Sequence, residues 1–167
     1  MWFFMYACYL LMGLSFLLLT TLGVQGYFGF HVMGVNHPTF ALLTAIIYLF
    51  AETLVIFFFV GTGVSVKEYT RDHNVDATYH RRSIDIKRRL YPPVLTNILL
   101  FMIVFITGGA VDTQLMPGFV HGLLYLATVL HFLKVIKVQH QCFRDNTAII
   151  LKMSGIESNI ELSVSKG

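Results

Sequence analysis

The chain has 167 residues, of which 56% are hydrophobic and 13% charged, with a formal net charge of +3 and a mean hydropathy of +0.69. A soluble globule carries charge on about a quarter of its residues. The balance here excludes a soluble enzyme, a disordered chain, a disulfide-stapled secreted module and a nucleic-acid binder, and leaves an all-α integral membrane protein.

A bilayer core about 30 Å thick takes around 20 apolar residues per helix. Four stretches meet that length, near 2–24, 39–60, 94–111 and 119–138. The first begins at Trp2 and holds no charge; the first charged side chain in the chain is Glu52. Its apolar run is too long for a signal peptide and lacks a basic leader, so it is expected to stay as a helix. The connection 25–38 carries His31 and ends at His37 and Pro38. Down span two, His37, Ala41, Thr44, Tyr48 and Glu52 recur at spacings of four and three, which keeps them on one helix face. Gly61-Thr62-Gly63 is a lone GxG at the inner end of this span and is expected to mark a helix end, not a nucleotide loop.

The next segment has the opposite character. Residues 67–91 hold Lys67, Arg71, Arg81, Arg82, Lys87, Arg88 and Arg89, seven of the twelve basic residues, and the other five end or follow span four. The connections 25–38 and 112–118 have none. Lysine and arginine are retained on the cytoplasmic side, so the expected architecture is a single N-in/C-in four-helix bundle over 1–167, with a basic cytoplasmic loop at 67–91. Anionic lipid headgroups are the expected partner of that loop, at about 1 kcal/mol per basic residue; nucleic acid is not. Pro92 and Pro93 are expected to open span three, which carries Asn97. Span four opens at His121 and continues through Tyr125, Thr128 and His131. A cytoplasmic tail, 139–167, follows: TAIILKMSG can lie against the membrane, and NIELSVSKG is polar and expected to be mobile. Cys8 and Cys142 are expected to be free thiols.

Polar groups inside hydrocarbon are costly and are site candidates by default. Counted from the outer ends, Glu52, Asn97 and His131 lie about 14, 15 and 12 residues in, close to one depth near the midplane. As packing groups they would bond across helices, with Glu52 satisfied by His131 or Asn97. His37 and His121 sit at one height on two helices that run the same way. Imidazoles so placed suit the paired axial ligands of a b-type haem. In this pattern the chain is similar to the small four-helix cytochrome b anchors of respiratory enzymes, with no motif that carries individual residues across. The reading favoured is a small membrane subunit of a respiratory or electron-transfer complex in a bacterial cytoplasmic (inner) membrane. It would bind haem b through His37 and His121, contact quinone and other membrane subunits, and handle protons at Tyr48, Glu52 and His131. One objection is that haem propionates favour cationic partners, and the outer side has no lysine or arginine. The alternatives are a structural or assembly subunit without chemistry, or a proton- or ion-transport component using Glu52 and His131. His31 and Asp112, with the two rim histidines, form a further candidate set for copper or zinc. No catalytic motif is present.

Overall fold

Residues 2–155, which a computed structural model of the protein describes, form four helices joined by short connections. These are α1 (Trp2–Phe28), α2 (His37–Asp72), α3 (Thr78–Asp112) and α4 (Gly118–Met153). The fold is all-α, and each helix is long and apolar enough to cross a membrane. At about 1.5 Å per residue α1 is roughly 40 Å long and the others roughly 53 Å, against about 30 Å of bilayer hydrocarbon.

Local chemistry sets the helix starts and the turns. Asn36 caps α2 by accepting from the Thr39 N–H at 3.2 Å, and Pro38 occupies the first turn, where a missing donor is harmless. Before that cap the chain reverses through Met33 and Gly34, both left-handed at φ 51° and 79°. Two such residues make the corner of a tight hairpin, and Val32 and Val35 exchange backbone hydrogen bonds of 3.2 and 2.9 Å across it. Between α2 and α3, Asp76 accepts from the backbone N–H and the hydroxyl of Thr78 at 2.9 and 2.8 Å.

Several boundaries differ from the sequence expectation. Segment 67–91 is helical except for the connection 73–77, so the basic stretch is two helix ends and not a loop. Pro92 and Pro93 lie inside α3, not at its start, and Gly61 and Gly63 lie inside α2. Residues 139–153 continue α4; the stretch NIELSVSKG falls outside the described residues. The reason is that hydropathy marks only the part of a helix that meets hydrocarbon, whereas the helical period of burial runs on. Ser83, Ile86, Leu90 and Val94 are buried on α3, and Gln139, Cys142, Asn146 and Ile149 on α4, each set at spacings of three and four. Gly63 belongs to the same seam: a Cβ there would run into the Lys87 ammonium and stand 3.3 Å from Ser83 Oγ.

The helices pair as two hairpins, α1 with α2 and α3 with α4, joined along α2 and α3, while α1 and α4 touch only sparsely. The core is aromatic. Tyr48 packs on Phe101 and Phe132 at ring-centroid distances of 4.4 and 5.4 Å, and Phe143 on Phe58 and Phe59 at 5.0 Å each. Large apolar side chains also face outward along the helices, among them Leu10, Leu17, Ile46, Phe57, Leu99 and Leu130. Such a continuous apolar exterior suits lipid and not water. Cys8 and Cys142 are free and buried.

Candidate functional site

The weak contact between α1 and α4 leaves a cavity of about 830 Å³ at the end of the bundle where α1 finishes and α2 and α4 start, the end expected from the sequence to face outward, inside the roughly 300–1,000 Å³ range of small-molecule sites. His37, the first residue of α2, and His121, in the first turn of α4, both line it. Its walls are apolar side chains such as Phe101, Val104 and Phe105, interleaved with glycines from α1, α3 and α4. Two of those glycines are required by close approach. A Cβ on Gly26 would stand 2.9 Å from the His37 ring, and one on Gly23 would stand 2.9 Å from the Tyr125 ring. Tyr125 reaches across to donate its hydroxyl proton to the Leu19 carbonyl of α1.

Hydrogen bonding fixes the chemistry of the histidines. The Thr107 hydroxyl gives its proton to the Val104 carbonyl at 2.9 Å, so its 3.1 Å contact with His121 Nδ1 makes that nitrogen the donor. His121 Nε2 then carries a free lone pair. His37 Nδ1 is buried without a hydrogen-bond partner. Each imidazole thus keeps a nitrogen uncommitted to other protein groups. The N-terminus of α4 also opens on the cavity through Gly118 and Phe119, and no side chain caps it. Its free amides and positive dipole end favour a carboxylate.

The expected midplane groups form two separate pairings. Asn97 Nδ2 donates to the Tyr48 hydroxyl at 2.6 Å, and Asn97 Oδ1 accepts from His131 Nδ1 at 2.8 Å, so α2, α3 and α4 are tied at one level. Glu52 is not part of this network. Its Oε2 accepts from Gln139 Nε2 at 2.6 Å, which corrects the expectation of His131 or Asn97 as its partner. Gln139 lies two turns below His131 on α4, at a position the sequence reading had assigned to the tail. Glu52 Oε1 and Gln139 Oε1 are buried without partners, and among the described residues no hydrogen bond links this pair to Tyr48, Asn97 or His131.

The rim set is not brought together. Asp112 lines the mouth of the cavity, but His31 lies on the exposed connection outside it. Among the described residues, no three histidine, cysteine or acidic side chains converge as a metal site, so His31, His37, His121 and Asp112 do not form the copper or zinc set. Sequence reasoning missed Thr107, Gln139, Gly23 and Gly26. Only Gln139 left a signal, as a polar residue continuing the buried spacing of α4. No protein-family model, curated protein or solved structure matches the chain.

Proposed function

We propose that the chain is a small membrane subunit of an electron-transfer assembly, with both ends cytoplasmic in a bacterial inner membrane, and that His37 and His121 hold a b-type haem in the outer cavity. The observation that carries this reading is that imidazoles from two different helices line one apolar, glycine-walled cavity, each with a ring nitrogen that no protein group takes up. Bound there, the group supplies one-electron transfer. The residues do the rest. Thr107 fixes the tautomer and ring plane of His121, as outer partners of ligating histidines do. Gly26 leaves room for the Cε1 edge of the His37 ring against α1. The amides at the start of α4 would offer the propionates donors on a rim without cations. Quinone and neighbouring membrane subunits are the electron partners this placement suits, and Tyr48, Glu52 and His131 are the proton-holding groups below it.

A reduced-minus-oxidised absorbance spectrum of the protein purified from native membranes is the test. Haem bands are expected, and His37→Ala or His121→Ala should abolish them with helical circular dichroism unchanged. Wild-type protein without haem bands defeats the reading. A second reading, a structural or assembly subunit without chemistry, is favoured by the Tyr48–Asn97–His131 network, which crosslinks three helices away from the cavity. Co-purification with other subunits but without haem is its distinguishing outcome.

A further inference from the structure

A second cleft lies at the other end of the molecule, between the inner parts of α3 and α4. It encloses about 450 Å³ and is lined by Arg82, Asp85, Arg89, Asp145 and Lys152 over a floor of Ile86, Ala148 and Ile149. Its acidic groups are already engaged. Asp145 pairs with Arg89, and Asp85 stands 3.8 Å from Arg88. Arg82 and Lys152 are exposed and make no ion pair or hydrogen bond among the described residues. Two cations without an ion-pair partner, one from each helix, therefore flank one cleft that also offers an apolar floor.

Depth selects the ligand. Counted from the outer helix ends at about 1.5 Å per residue, Arg89 lies about 35 Å down α3 and Lys152 about 51 Å down α4. A bilayer has about 30 Å of hydrocarbon and about 40–45 Å in all, so the upper end of the cleft, at Arg89, meets the inner headgroup layer, while Arg82, about 45 Å down α3, and Lys152 stand at and just beyond its surface and reach back to it along their flexible stems. We infer that this cleft binds the phosphate headgroup of a negatively charged phospholipid, with Arg82 and Lys152 clamping the phosphate and Ile86, Ala148 and Ile149 lying under the first part of the lipid. A basic pocket between helices on the cytoplasmic side recognises such headgroups by charge and by shape together, and the arginine fork suits phosphate oxygens. The inference rests on the membrane orientation given above and is independent of haem.

The test is native mass spectrometry of delipidated protein in detergent, titrated with short-chain phosphatidylglycerol, short-chain phosphatidylcholine or inorganic phosphate. The wild type should retain phosphatidylglycerol at least tenfold more tightly than phosphatidylcholine, and inorganic phosphate should not displace it. The double variant Arg82→Gln/Lys152→Gln should lose that preference with unchanged helical content, both side chains being exposed. Lys67→Gln/Arg81→Gln, which removes equal charge outside the cleft, should keep it. Equal binding of the two lipids, displacement by inorganic phosphate, or an equal loss in the control variant each overturns the assignment. Because none of these readouts involves haem, failure here leaves the reading of the outer cavity untouched.

Discussion

The outer and middle levels of this bundle use the same residue types to opposite ends. At the middle level, Tyr48, Asn97 and His131 answer one another across three helices, and Phe101 and Phe132 close around them. At the outer level, glycines replace the interlocking side chains, and His37 and His121 line a cavity, each with a ring nitrogen that no protein group takes up. A histidine in a membrane bundle is thus glue or ligand according to what surrounds it. Where neighbours are large and hydrogen-bonding groups are matched, it is glue. Where neighbours are glycines and a nitrogen is left over, it is poised to take a ligand.

That contrast can be broken from either side. The largest effect is expected from filling the outer level: Gly26→Leu drives a side chain into the space of the His37 ring and should abolish haem retention, read by absorbance, with the helical circular dichroism kept. Next comes breaking the middle level. Asn97→Leu leaves the Tyr48 hydroxyl and His131 Nδ1 without their partner, and an unmet buried polar group costs about 1–3 kcal/mol. Unfolding in mixed micelles should show a loss of that size, while haem absorbance persists. The smallest effect is local and lies outside both levels. The Thr78 N–H and hydroxyl hold the Asp76 carboxyl below its usual range. A carboxyl whose folded value is depressed contributes above its ordinary pKa and loses that contribution as pH falls through the folded value. Amide protection at the start of α3, taken relative to the intrinsic exchange rate at each pH, should therefore fall on acidification below the ordinary carboxylate range, and Asp76→Ala should show the lowered protection already at neutral pH.

The four helices and their hairpin pairing were legible because hydrocarbon length and short outer connections leave few other arrangements. The shared height of His37 and His121 was legible too, since two helices that start at one face count residues from the same origin. Gln139 as the partner of Glu52 was not, because hydropathy ends span four at 138 while the helix and its buried seam continue. Thr107 was hidden for another reason: a hydroxyl on an apolar helix ordinarily bonds its own preceding turn, and only packing reveals that it also accepts from His121. The roles of Gly23 and Gly26 depend on how near α4 and the start of α2 come to α1, a distance that no periodicity encodes.

The two prolines inside α3 carry one more consequence. Lacking amide protons, Pro92 and Pro93 leave the carbonyls of Arg88 and Arg89 without their helical donors, two missing rungs in succession. A rod with such a weak joint yields there first under load. Bending of α3 from its Thr78 end is therefore expected at this joint, short of Asn97 and Gly108. The adjacent α4, from Gly118 to Met153, contains no proline, so no such break separates His121 from the far end of its helix.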